Sequence, residues 1–136
     1  MHPPKRALLF LCVANSARSQ MGEGLARSLA PEGLAIYSAG SMPAAVHPYA
    51  VRVMRELGID ISSQFSKGLG QVPFDEIDTV VTLCAEEVCP VLPSDVQRLH
   101  WPCRDPTAGS GSDEVRLASF RRVRDAIRAK LIELLG

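Results

Sequence analysis

The strongest constraint on this chain is an uninterrupted apolar run, ALLFLC at residues 7–12, which gives way at once to small and polar residues and then to a helical pattern. A run without polar alternation belongs to a strand buried on both faces. From residue 19 to 30, Met21, Leu25, Ala26 and Leu29 recur at helical spacing, and Pro31 and Gly33 end the helix. Residues 34–38 predict a short strand stopped by Gly40. Residues 47–57 predict a second helix with Val46, Ala50, Val53, Met54 and Leu57 on one side, Pro48 in its first turn and Gly58 as its stop. Another apolar strand, IDTVVTL at 77–83, ends at Cys84, and a short one at 97–101 ends before Pro102. Residues 85–95 and 102–112 read as loops, the second a long surface loop. A last helix, capped by Ser112 or Asp113, turns Leu117, Phe120, Val123, Ile127, Leu131 and Leu134 inward, while Arg121, Arg122, Arg124 and Arg128 read as a solvated face. Strands alternating with helices predict an α/β fold: one doubly wound domain over residues 1–136, with a central four-stranded parallel sheet and helices on both faces. In such sheets ligands bind beyond the carboxyl ends of the strands. Cys12, Cys84 and the loop after Trp101 all fall there.

Charge narrows the function classes. Fifteen basic residues balance fifteen acidic ones, so no overall field favours nucleic acid or an anionic membrane. The first apolar run is too short to span a bilayer and reads as a buried strand rather than a secretory signal, which places the protein in the cytoplasm. In that reducing compartment Cys12, Cys84, Cys89 and Cys103 are not static staples. They are buried hydrophobes, metal ligands, or redox and catalytic groups.

The stretch CVANSARS, from Cys12 to Ser19, sorts the first of them. After a strand, the first amides of the next helix have no internal partner. A loop of small residues there, Val13, Ala14, Asn15, Ser16 and Ala17, gathers N–H groups into a concavity that favours an oxyanion. Arg18 adds a planar fork of donors. The same positive surroundings favour a thiolate at Cys12, a nucleophile aimed at the central atom of a phosphate-like substrate.

Cys-x5-Arg followed by Ser19 at such a junction resembles the phosphate-binding loop of the low-molecular-weight protein tyrosine phosphatase fold. RSQMGEG, YSAGS, VVTLC, CPVLP and HWPCRDP, in that order along nearly the whole chain, are similar to the thioredoxin-coupled arsenate reductases of that fold. The resemblance implies that Asn15 braces the loop, that Ser19 hydrogen-bonds the Cys12 sulfur, and that Asp105 before Pro106 is the general acid. It implies arsenate as substrate, with phosphate or sulfate as mimics, and a relay in which Cys12, Cys84 and Cys89 pass a disulfide outward to thioredoxin as electron donor. No bound cofactor and a monomer are expected. Family members often hold a potassium ion; Asn15, Glu23 and Ser38 match its ligands, but Lys67 stands where a carboxylate is expected, so its ammonium is expected in the cation's place. Only four residues separate Cys84 from Cys89, fewer than in well-known members.

Two other classes compete. A phosphatase would use Cys12, Arg18 and Asp105 alone, yet DPTAGS lacks the tyrosines such phosphatases carry after Asp-Pro. A noncatalytic redox or anion-binding module would not need an intact nucleophile, arginine and acid. A zinc site from Cys84, Cys89, His100 and Cys103 has unsuitable spacing. Cys103 reads as a partly buried thiol, Trp101 as a core or loop anchor, and His2 and His47 as structural or solvent-exposed, His47 preceding Pro48 at a helix start.

Overall fold

The computed structural model of the chain describes residues 7–85 and 96–135. Its four strands are β1 (Ala7–Cys12), β2 (Ala35–Gly40), β3 (Thr79–Thr82) and β4 (Gln97–His100), and its α-helices are α1 (Arg18–Leu29), α2 (Pro48–Arg55) and α3 (Asp113–Leu135). The sheet is wholly parallel with order β2-β1-β3-β4. The chain leaves β1 to one side for β2 and returns to its other side for β3. The crevice between β1 and β3 is therefore the switch point at which open α/β sheets bind ligands.

Every residue of β1 is buried, as its unbroken apolar run predicts. The pleat divides it between two cores. Leu8 and Phe10 pack with Val81, Leu83, Ile61 from the loop after α2, and the inner faces of all three α-helices, including Met21, Leu25, Met54, Phe120 and Ile127. Ala7, Leu9 and Leu11 pack with Val80, Val72 and Ile77 on the opposite face. That second face is covered by two short 3₁₀ turns, Leu69–Gln71 and Phe74–Glu76. Helix α1 lies close on the sheet because of glycine: a Cβ at Gly22 would meet the Phe10 ring at 2.8 Å, and one at Gly24 would meet Ile61 at 2.5 Å.

Four local expectations need correction. Strand β2 ends at Gly40 as expected but runs two residues beyond the predicted 38, with Gly40 itself inside it, paired with Cys12 and bridged to Gly68. Helix α2 ends at Arg55, and Leu57 is exposed beyond it. Within the 102–112 loop, Pro106–Ala108 forms a 3₁₀ turn because Asp105 caps it and Pro106 presets its first φ. Arg124 does not belong to a solvated face. It is buried, donating through Nη1 to the Val53 carbonyl at 2.8 Å and to Glu56 at 2.7 Å, and through Nε to Asp125 at 2.8 Å. Arg121 reaches the same Glu56, and its hydrogen bond is the main reason the Glu56 carboxyl is held down to about 2, with Arg124 adding to the effect and partial desolvation opposing it. This cluster ties α2 to α3. No helix among the described residues is long and apolar enough to cross a membrane.

Candidate active site

The loop between β1 and α1 is built so that its carbonyls face out. The carbonyl of Val13 accepts from the Met42 amide at 2.9 Å, that of Ala14 from Ala44 at 3.0 Å, and that of Ser16 from His47 at 3.0 Å. The Asn15 carbonyl accepts from Gln20 Nε2 at 3.1 Å and from the Ser66 hydroxyl. With successive carbonyls turned outward, the amides turn inward, and those of residues 14–17 donate to nothing among the described residues. Ala17 at the helix N-cap offers no side-chain cap, and no acidic residue occupies the first turn. The positive end of α1 is thus left for an external anion.

Asn15 holds this shape at φ 48°, a left-handed conformation that asparagine tolerates better than most residues. Its side chain is fully used: Nδ2 donates to Ser19 Oγ at 2.7 Å, and Oδ1 accepts from Gln20 Nε2 at 2.9 Å and from the Lys67 amide at 2.7 Å. Ser19 Oγ, which accepts from Asn15, also lies 2.8 Å from Cys12 Sγ, close enough for its hydroxyl to donate to a thiolate there. Behind this chain, Glu23 Oε1 accepts from Ser38 Oγ at 2.5 Å and from Lys67 Nζ at 3.4 Å, and Oε2 accepts from Arg27 Nε at 3.1 Å. Lys67 Nζ also donates to the Phe65 carbonyl at 2.7 Å and lies 4.5 Å from the Phe65 ring centroid. A buried ammonium already satisfied by an anion, a carbonyl and a π face leaves no vacancy for a metal cation beside Glu23. The residues Asn15, Glu23 and Ser38 therefore do not fit potassium here.

A pocket of about 280 Å³ is lined by Cys12, Ala14, Ser16, Ala17, Arg18, Ala44, His47, Asp105 and Thr107. It brings the candidate nucleophile, the arginine and the carboxylic acid candidate together, the first two from either end of the β1–α1 loop and the third from the loop after β4. Arg18 is buried, and Nη1 donates to the carbonyls of Cys103 at 3.0 Å and Leu83 at 3.3 Å, which ties the cradle to β3 and to the loop after β4. Asp105 Oδ1 accepts from the Thr107 amide at 2.9 Å and hydroxyl at 2.6 Å. No hydrogen bond engages its other oxygen among the described residues, and Asp105 lines the pocket, within reach of a bound group.

Cys84 lies buried just beyond β3, next to the end of β1, since Leu11 pairs with Thr82 and Leu83 donates to the Leu11 carbonyl at 2.9 Å. Cys84 is disulfide-bonded, whereas Cys12 and Cys103 are free. Cys89 lies outside the described residues, as does His2. Cys103 is half-buried, its thiol pushed up by burial, with Sγ 3.5 Å from the Trp101 carbonyl. Trp101 packs on the larger core, and His100 Nδ1 meets Thr82 Oγ1 at 2.7 Å. Among the described residues no group of three His, Cys, Asp or Glu side chains is arranged around a metal position.

Sequence reasoning missed three residues of the site. Gln20 is fully buried and braces Asn15, the Phe65 carbonyl and Gln64; a polar residue on the buried face of α1 was the available signal. Gly40 permits contact with the cradle, since a Cβ there would meet the Val13 carbonyl oxygen at 2.4 Å and the Asn15 nitrogen at 2.8 Å. His47 caps α2, as its position before Pro48 suggests, but it also forms part of the pocket wall.

Comparison with known proteins agrees with this geometry. The family model described as low molecular weight phosphotyrosine protein phosphatase matches residues 7–136. The chain is 45% identical over 129 residues to an arsenate reductase of Halalkalibacterium halodurans, covering 93% of each chain. It superposes with a TM-score of 0.81 on the structure of an arsenate reductase in the phosphate binding state, at 35% identity over 96% of each chain. It also superposes, at a TM-score of 0.70 and 28% identity, on a thioredoxin-dependent arsenate reductase of Corynebacterium glutamicum, covering 98% of this chain and 62% of that one.

Proposed function

We propose that this chain, which belongs to the low molecular weight phosphotyrosine protein phosphatase family and stands there with arsenate reductases, reduces arsenate to arsenite. Arsenate has the tetrahedral shape and charge of phosphate, so inward amides at the positive end of α1 and the Arg18 guanidinium suit both. The Cys12 thiolate attacks arsenic(V); an As–S bond forms and one oxygen leaves as water, protonated by Asp105. The Cys84 thiolate then attacks Cys12 Sγ. An S–S bond forms, the As–S bond breaks, and its electron pair stays with arsenic, which leaves as arsenite(III). Cys89 next attacks Cys84, Cys12 leaves as a thiolate, and the disulfide becomes Cys84–Cys89. A thioredoxin dithiol takes over that disulfide and supplies the two electrons.

The observation that carries this reading is the disulfide at Cys84 beside the buried free thiol of Cys12, on adjacent strand ends. Hydrolysis of a phosphate ester needs only Cys12, Arg18 and Asp105 and gives a second redox-active sulfur no task. Val13 to Arg18 form the oxyanion-binding loop; Asn15, Ser19, Glu23, Ser38 and Lys67 support it. The chain works as a single-domain monomer in the cytoplasm without a bound cofactor, the Lys67 ammonium standing in for potassium.

The test is arsenate-dependent NADPH consumption with thioredoxin and thioredoxin reductase, for wild type and for Cys12→Ser, Cys84→Ser and Cys89→Ser. The relay requires turnover by wild type and none by any variant. Turnover by Cys89→Ser would remove that residue from the relay and implicate Cys103. Silence with arsenate combined with Cys12-dependent hydrolysis of an aryl phosphate would make the chain a phosphatase.

A further inference from the structure

His47 is fixed more firmly than a helix cap requires. Its amide donates to the Ser16 carbonyl at 3.0 Å, and its Nδ1 accepts from the Tyr49 amide at 3.0 Å. The ring is wedged between Tyr49 and Phe120, with centroid distances of 5.2 and 4.9 Å. Tyr49 is itself anchored by its hydroxyl to Asp113 and lies edge-on to Phe120. The imidazole therefore has one orientation, and His47 belongs to the wall of the pocket shared with Cys12, Arg18 and Asp105.

The bond to Tyr49 also fixes the tautomer. An Nδ1 that accepts from a backbone N–H carries no proton, so the neutral ring bears its proton on Nε2. That N–H has no partner among the described residues. Protonating Nδ1 would set two hydrogens against each other and uncap α2. The surroundings act the same way: burial first, then Arg116 from α3, push His47 below its ordinary range, while Asp105 from the loop after β4 opposes them. The other charged or titratable groups about the ring are Cys12 and Arg18 on the cradle side and Asp113 behind Tyr49.

We propose that His47 donates its Nε2–H to an oxygen of the oxyanion held in the pocket, as a neutral side-chain donor from outside the oxyanion loop. The inference rests on reading this pocket as the oxyanion site, and it adds a substrate contact from the N-terminus of α2. A neutral donor has a chemical advantage here. It binds an oxygen without placing a further positive charge beside the acid candidate.

The experiment separates donor from cap. Asparagine is a strong N-cap but lacks the Nε2–H, whereas alanine lacks both. Binding of inorganic phosphate is measured by calorimetry for wild type, His47→Asn and His47→Ala, alongside thermal unfolding. The expected result is that His47→Asn regains the capping share of the Tm lost in His47→Ala, short only of the ring's packing on Tyr49 and Phe120, but binds phosphate about tenfold more weakly than wild type, the loss typical of a hydrogen bond to a charged group. His47→Ala should lose both. If His47→Asn restores affinity together with Tm, His47 is a cap only and the proposal is overturned. The ratio of wild-type to His47→Asn affinity should stay level from about pH 7 to pH 8; a ratio that grows steadily toward acid would show a cationic imidazolium at work and overturn the neutral donor. No measurable phosphate binding by wild type would also overturn it. Tight, His47-dependent phosphate binding by an enzyme inert toward arsenate would uphold this contact while sinking the reductase reading.

Discussion

The oxyanion loop and the loop carrying Asp105 face one pocket but are held by different means. Around residues 13–17, carbonyl after carbonyl is claimed by a neighbouring segment, and both polar side-chain atoms of Asn15 are engaged. Asp105 sits in a stretch fixed more sparsely, by the carboxylate's own bonds to Thr107, by the Ala108 amide on its carbonyl at 3.2 Å, and at Cys103 by an amide bond to the Leu83 carbonyl at 3.1 Å and an Arg18 contact to the Cys103 carbonyl. An anion-binding dipole array is most effective when it needs no reorganisation as charge develops. A proton donor, the role proposed for Asp105, must instead serve a leaving oxygen whose position changes during reaction. The difference in bracing suits that proposed difference in duty.

The comparison breaks most severely at Gly40. A methyl group there meets backbone rather than a movable side chain, so Gly40→Ala should cost about 3 kcal/mol of stability and abolish phosphate binding, read by thermal unfolding and calorimetry. Retained phosphate affinity would mean that the cradle yields more readily than its bonds suggest. On the other side, Asp105→Asn should leave phosphate affinity and Tm close to wild type while lowering the arsenate-dependent kcat by about 10²–10³. An equal loss in affinity would make Asp105 a binding group.

The smallest effect concerns the back of the cradle. Lys67→Met removes the ammonium from buried Glu23 but leaves Arg27 and Ser38 in place, so a loss of about 2 kcal/mol is expected. Wild-type Tm should be the same in potassium and sodium chloride, whereas Lys67→Asp should become more stable in potassium. A wild-type enzyme that responds to potassium would refute the built-in cation.

The cradle was legible because its determinants are local. An apolar strand, five small or polar residues and an arginine at a helix start define Cys12 to Arg18 within a dozen positions. The strand order follows from the same alternation. What was illegible depends on contacts between distant segments. Nothing near Gly40 in sequence shows that the Val13 carbonyl will press against it, and the run of arginines in α3 conceals that the Val53 carbonyl and Glu56 draw Arg124 inward. His47 reads as a cap from its proline neighbour, but only the fold shows that it packs on Phe120 and lines the pocket. The 3₁₀ turn after Asp105 was hidden by the glycines and serines that follow it.

Strand β1 has a partner on both sides and is buried along its whole length, whereas β4 is the sheet's edge and mostly exposed. Amide exchange should therefore be slowest in β1 and much faster in β4, because edge elements open without global unfolding. Cys12 is anchored to the first and Asp105 hangs from the second. Mild heat or denaturant would then detach the acid while the cradle stays assembled, leaving a molecule that still captures its anion but processes it slowly.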